Sequence, residues 1–127
     1  IWQRLPAAYE ILRKEPLATF LRPIPAVLVP GDTFEKAVEV LGGDIDFCCI
    51  VDDGKLSGLL THTDVFRAVD DGVKMGTPVS SFMNKTPVVA NAGDASIVVA
   101  EVMHDRDLKW MPVIDDACHP NVRGYVR

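Results

Sequence analysis

The chain has 127 residues, 48% hydrophobic and 24% charged, with a formal net charge of −5; this supplies one compact core and excludes two large independent domains. The acidic balance and the scatter of its 13 Lys and Arg residues exclude a nucleic-acid surface, which needs clustered cations to displace phosphate counterions. No apolar run approaches the roughly 18–20 residues that cross a bilayer, and Ile1-Trp2-Gln3-Arg4 lacks the basic flank and apolar core of a signal peptide, so the chain reads as cytoplasmic and not itself in a membrane. The missing initiator Met and the end at Arg127 make a piece of a larger protein the expectation.

Residues 7–14 have helical character and stop before Pro16, and Trp2, Leu5, Tyr9 and Leu12 share roughly helical spacing, the pattern of a face buried on the same protein. From residue 19 a repeat begins. Thr19-Phe20-Leu21, Pro25-Ala26-Val27, Gly31-Asp32 and Glu39-Val40-Leu41 recur 62 positions later as Ser81-Phe82-Met83, Pro87-Val88-Val89, Gly93-Asp94 and Glu101-Val102-Met103. The offset then widens, pairing Ile50-Val51-Asp52 with Val113-Ile114-Asp115, and Leu56, Gly58 and Leu60 with Val122, Gly124 and Val126. Two long copies point to a pseudo-two-fold pair, since a solenoid needs about three or more shorter units.

Within the first copy, Asp32 with Glu35 has the form of an N-cap and capping box, and Phe34, Ala37, Val38 and Leu41 follow at helical spacing up to Gly42-Gly43. Residues 47–51 read as a buried strand, Asp52-Asp53-Gly54-Lys55 as a tight hairpin turn, and residues 56–60 as a second strand handing over to a helix near Asp64. Residues 73–81, punctuated by Gly and Pro, link the copies. In the second copy residues 88–90 open, Asp94 caps a helix carrying Ile97, Val98, Glu101 and Val102, and residues 111–114 pair with residues 122–126. The expected organisation is α+β: an N-terminal helical segment over 1–18, a first β-α-β-β-α repeat with linker over 19–80, and a second over 81–127 lacking its last helix.

Cys48, Cys49 and Cys118 form no CxxC pair and read as reduced and structural. His62, His104 and His119 lack metal-ligand spacing, and no nucleophile-elbow, P-loop or metal-hydrolase motif is present, so neither a metal, a cofactor nor a catalytic role is expected.

These residues resemble the CBS domain family, whose members occur as tandem pairs called Bateman modules. The resemblance covers about residues 19–127. It rests on Cys49-Ile50-Val51-Asp52 with Gly54-Lys55-Leu56-Ser57-Gly58, on Met111-Pro112-Val113-Ile114-Asp115, and above all on Gly58-Leu59-Leu60-Thr61-His62-Thr63-Asp64, which looks like the family's G-h-x-T-x-x-D signature. Thr61, Thr63 and Asp64 fall at a helix start, where free N–H groups and the dipole favour a phosphate, while the Asp64 carboxylate suits ribose hydroxyls. The plainer alternative is that Thr63 or Asp64 only caps the helix.

The resemblance implies an adenine-side wall from the other copy: Thr86, Pro87 and Val88, with Lys109, Trp110, Met111 and Pro112. Val88, Met111 and Pro112 then form an apolar slot, Lys109 meets a phosphate, and Trp110 either stacks on a base or belongs to the core. A symmetry-related second site departs from the pattern. Its Arg127 stands at the position of Thr61, the chain stops before the counterpart of Asp64, and its wall of Pro25, Val27, Asp46 and Phe47 puts Asp46 where Lys109 stands. One competent adenosine site and one weak one are expected.

The implied function is a regulatory sensor, not an enzyme, that binds AMP, ADP or ATP and controls an attached or separate effector domain. Two alternatives stay open. One is a ligand-free scaffold, dimerising through helical faces with Ala68, Val69, Val98 and Val102 as candidate positions. The other is a different adenosine compound such as S-adenosylmethionine.

Overall fold

The computed structural model describes residues 15–116 and 121–127. The expected N-terminal helix over residues 7–14, Cys118 and His119 lie outside the described residues. Three α-helices and six strands are present among those described, in two compact units, one of residues Ile24–Pro87 and one of the N-terminal residues to Pro23 with Val88–Arg127. The units are offset from the sequence repeat, because each holds the opening segment of the other copy, residues 81–87 in one and 19–23 in the other.

The unit Ile24–Pro87 contains β1 (Val27–Leu28), α1 (Phe34–Leu41), β2 (Phe47–Asp52), β3 (Lys55–Thr61) and α2 (His62–Asp70). Its sheet has the order β1-β2-β3. β1 runs parallel to β2 with Val27 opposite Cys49, and β2 runs antiparallel to β3 from Phe47 opposite Thr61 to Asp52 opposite Lys55, with a register shift at Ile50 and Val51. The hairpin forms as expected because Asp53 (φ 52°) and Gly54 (φ 80°) both take the left-handed conformation of a two-residue primed turn. Residues 47–50 are buried on both faces, with α1 on one side, and Leu28, Ala37, Leu41, Cys48, Ile50, Leu60 and Val79 make the core. Val65 of α2 packs on this core and Ala68 is buried.

The cap of α1 differs from expectation. Thr33 is the N-cap, its hydroxyl accepting from the Lys36 amide at 3.3 Å. Asp32 instead closes the preceding turn: its carboxylate accepts from the Val29 amide at 2.8 Å and pairs with Lys36 at 3.3 Å. Asp94 acts the same way on the Asn91 amide, 2.9 Å, and the third helix has Ala95 as an N-cap without a side-chain bond. In both copies the short Asp side chain accepts from the amide three residues back, so the repeated Asp closes a turn and does not cap the helix.

The second unit contains β4 (Ala90–Asn91), α3 (Ser96–Asp105), β5 (Met111–Ile114) and β6 (Val122–Val126). The sheet order is β4-β5-β6, with Ala90 opposite Val113 in parallel and Met111 opposite Val126 antiparallel. Its register shift, at Val113 and Ile114, matches the first sheet's by the repeat. Leu17, Ala90, Val99, Met111, Val113 and Val126 form its core.

A returning segment clamps the last strand of each sheet. In the first unit Leu59 and Asn84 exchange both backbone hydrogen bonds at 2.9 Å, and Phe82, just before, packs edge-on against Phe34 with ring centroids 5.1 Å apart. In the second, Arg22 and Tyr125 exchange theirs at 2.7 and 2.8 Å. Beside each bridge stands a glycine. A Cβ on Gly58 would lie 2.5 Å from Met83 Sδ and 3.0 Å from the Asn84 carbonyl oxygen, and one on Gly124 (φ 150°) 2.5 Å from the Arg22 carbonyl oxygen. Gly58 and Gly124 therefore serve the close approach of the returning segments.

Gly58→Ala is expected to destabilise the protein by about 1–3 kcal/mol, the range for overpacking. Gly124→Ala should cost more, because a backbone atom blocks it and φ is strained. Urea unfolding reads both, and an unchanged midpoint in either variant contradicts the clamp.

Candidate functional site

β3 delivers the chain to the start of α2, and Thr61, Thr63 and Asp64 sit at that junction. Thr61 ends β3 and is the N-cap of α2. Its hydroxyl accepts from the Asp64 amide at 3.4 Å, while Asp64 Oδ2 accepts from the Thr61 amide at 3.0 Å and from the Thr61 hydroxyl at 3.1 Å. This reciprocal capping box is the plainer role weighed for Asp64, and it uses Oδ2 twice. Among the described residues Oδ1 has one charged partner, the Arg67 guanidinium, 3.8 Å away and largely in solvent, so it keeps acceptor capacity, and the Asp64 side chain is 14% exposed. The box takes up the amides of Thr61 and Asp64 and leaves those of His62 and Thr63, in the first turn of the helix, without an intrahelical partner. Thr63 itself is exposed.

Thr86 and Pro87 belong to the same unit as Thr61. Thr86 is exposed, and Asn84 Oδ1 accepts from its amide at 3.0 Å. Val88, Lys109, Trp110, Met111 and Pro112 belong to the other unit. Lys109 is exposed; Val88 is half-buried against its unit's core, as is Trp110 within its surroundings. Met111 is 1% exposed and a member of that core, so its side chain packs inward. Of the weaker site, Pro25, Asp46 and Arg127 are exposed, Val27 is 54% exposed and Phe47 is 1% exposed. Of the candidate interface positions, Val69 and Val98 are exposed, Ala68 is buried and Val102 packs on its own core.

Sequence reasoning missed two features. The first is a cavity of about 470 Å³ in the second unit, lined by Leu17, Phe20, Val99, Met103, Leu108 and Val126, with Lys109 and Arg127 also on its wall. By the repeat, Leu17, Val99, Met103 and Val126 correspond to Val79, Ala37, Leu41 and Leu60, over which Val65 of α2 packs in the first unit. The cavity is the face that α2 covers in one unit, and it lies apart from Asp64 in composition: its walls are chiefly apolar. The second missed feature is His62, considered only as a metal ligand, whose Nε2 lies 2.8 Å from the Leu41 carbonyl oxygen. Twenty-one residues separate the pair, so no local pattern could have revealed it.

Among the described residues the two cysteines are not activated nucleophiles. Cys48 and Cys49 are free thiols, each 0% exposed. Burial, with a smaller contribution from the Asp32 charge, pushes Cys48 up to about 11, and burial followed by its neighbour Cys48 pushes Cys49 up to about 12. Among the described residues no group of three or more His, Cys, Asp or Glu could hold a metal ion, and no helix is long and apolar enough to cross a membrane.

Residues 9–71 match the CBS domain family. No curated protein is similar enough to this chain to count as a relative. Among solved structures, the chain is similar to the CBS domain pair of a protein in complex with 5′-methylthioadenosine and S-adenosyl-L-methionine, at 24% identity and TM-score 0.71 over 88% of each chain. It is similar to a CBS domain protein from Pyrobaculum aerophilum complexed with AMP, at 16% identity and TM-score 0.72, over 88% of this chain and 86% of that one. It is also similar to the cytosolic domain of the Mg2+ channel MgtE in complex with ATP, at 24% identity and TM-score 0.72, over 98% of this chain and 51% of that one.

Two outcomes follow from the local chemistry. Without any ligand, Thr61→Ala should cost about 0.5–2 kcal/mol in urea unfolding, as loss of an N-cap does, and a neutral result contradicts the capping box. An unfolded thiol titrates near 9.0 and the folded ones at about 11 and about 12. The unfolded chain therefore binds fewer protons once pH exceeds about 9, and the stability held by these thiols is complete below that pH and falls above it. At pH 8, iodoacetamide should label Cys48 and Cys49 no faster than global unfolding exposes them; prompt labelling of either contradicts their burial.

Proposed function

The chain belongs to the CBS domain family and has the fold of a CBS domain pair, and from that premise we propose that it is a ligand-sensing module for an adenosine compound, foremost an adenine nucleotide such as AMP, ADP or ATP. The observation that carries this reading is the junction at Thr61 and Asp64. One carboxylate oxygen serves the capping box, while the other retains acceptor capacity on a held side chain. We assign Oδ1 of Asp64 to the ribose hydroxyls. The His62 and Thr63 amides and the Thr63 hydroxyl then serve the first phosphate, at the positive end of the helix dipole.

The remaining contacts follow the family resemblance. Thr86, Pro87 and Val88 serve the base. Lys109 supplies a mobile positive charge for further phosphates, and Trp110, Met111 and Pro112 act through the backbone and the Trp110 ring, since Met111 is committed to its core. At the weaker site, Arg127 is the one cation among Pro25, Val27, Asp46 and Phe47, and Asp46 opposes phosphate there. AMP, ATP and S-adenosyl-L-methionine in the similar structures support an adenosine ligand while leaving the phosphate number open.

Binding biases an attached or separate effector, and the module acts without catalysing a reaction. A dimerisation role is favoured by one observation: Phe66, Val69 and Val98 are 75%, 60% and 51% exposed on helices. A homodimer through these faces is compatible with ligand sensing.

A thermal-shift titration with AMP, ADP, ATP, S-adenosylmethionine and GTP tests the reading. A ligand at about 100 times its Kd adds roughly 2.7 kcal/mol of stability, so one adenosine ligand should raise Tm by several degrees in the wild type and not in Asp64→Ala, with GTP inert. Loss of stability in the ligand-free variant belongs to the cap and is subtracted. Equal shifts in both proteins, or none with any adenosine ligand, contradict the reading.

A further inference from the structure

We propose that His62 is a positioning residue that passes ligand occupancy at the start of α2 to the C-terminal turn of α1; this rests on the reading of Asp64 and Thr63 as ligand contacts. His62 is the first residue of α2, between the N-cap Thr61 and Thr63. Its Nε2 donates to the Leu41 carbonyl oxygen at 2.8 Å, since a carbonyl can only accept, and this fixes the ring tautomer or charge so that Nε2 carries a proton. Leu41 is the last residue of α1, where carbonyls lack intrahelical partners. One side chain thus ties the positive end of one helix to the negative end of another.

The surroundings make this tie directional. Leu41 is 4% exposed and shares the unit's core with Leu60, the residue just before Thr61. Apolar packing between these residues tolerates small sliding, whereas a hydrogen bond weakens steeply with angle. On the ligand side, Asp64 Oδ2 already holds the Thr61 amide and hydroxyl. A ribose on Oδ1 and a phosphate at the His62 and Thr63 amides leave that box in place and restrain the first helical turn, which carries His62. On the output side, Glu35, Lys36 and Glu39 of α1 are exposed, available to whatever reads the module.

Amide hydrogen exchange, with AMP as the probe, tests the relay in the wild type, His62→Gln and His62→Leu. Gln places an amide nitrogen near the Nε2 position and keeps a donor, while Leu removes it. Because both variants keep the His62 backbone amide assigned to the phosphate, AMP should slow exchange of the Thr63, Asp64 and Val65 amides in all three proteins. It should slow Leu41 and Gly42, which flank the accepting carbonyl, roughly three- to tenfold in the wild type and the Gln variant, the span of one net hydrogen bond, and not in the Leu variant. Slowing of Leu41 and Gly42 in the Leu variant equal to wild type overturns the relay and leaves the binding reading standing. No slowing of residues 63–65 in the wild type overturns the binding reading and the relay together. Should the Leu variant fail to fold, the wild-type imidazole Nε2–H resonance decides: it should be protected from exchange and shift with AMP, and an unshifted resonance under saturating AMP overturns the relay.

Discussion

Each small sheet depends on a backbone bridge laid across its last strand. Three strands, one of them only two residues long, make a marginal sheet alone. Leu59 with Asn84 and Arg22 with Tyr125 extend each sheet's last strand by one pair of hydrogen bonds, and the approach is possible only because Gly58 and Gly124 carry no side chain toward the incoming segment. The bridge in the first unit holds β3 three residues before the start of α2, so the position of Thr61 and Asp64 is inherited from it. Fold and site meet at the heptapeptide that opens on Gly58 and closes on Asp64.

In that heptapeptide one residue holds the helix start and, in the proposed function, also meets the ligand. Asp64 satisfies two donors of Thr61 with one oxygen, a use that any helix start could make of it. Among the described residues the second oxygen is paired only with an exposed guanidinium. A carboxylate held on one side and unspent on the other is preorganised: binding to it need not freeze a free side chain. The capping role therefore does not compete with the proposed binding role.

Much of the fold was legible because the repeat checks itself. The strands at 47–51 and 111–114 are nearly continuous apolar runs, the Asp53-Gly54 turn has the composition that a primed turn requires, and the signature marks the entry to α2. Asp32 and Asp94 were misread because an Asp before a helix can cap forward or close a turn backward, and only coordinates separate the two. Met111 illustrates another gap: its place beside a slot is a matter of sequence offset, while its inward packing is a matter of strand parity in the folded sheet. His62 bonds to a residue 21 positions away, and such long-range pairs leave no periodic trace. The cavity beside Met103 and Val126 is visible only by laying the second unit's core over the first, where Val65 fills the same face.

The central claim is that an adenosine ligand places its ribose on the free oxygen of Asp64. A co-crystal structure with AMP tests it most directly. The account predicts ribose hydroxyls within hydrogen-bond distance of Asp64 Oδ1, with the capping bond from the Thr61 amide to Oδ2 retained and the phosphate at the His62 and Thr63 amides. AMP seated elsewhere, for example in the cavity beside Met103 with Asp64 untouched, would contradict it.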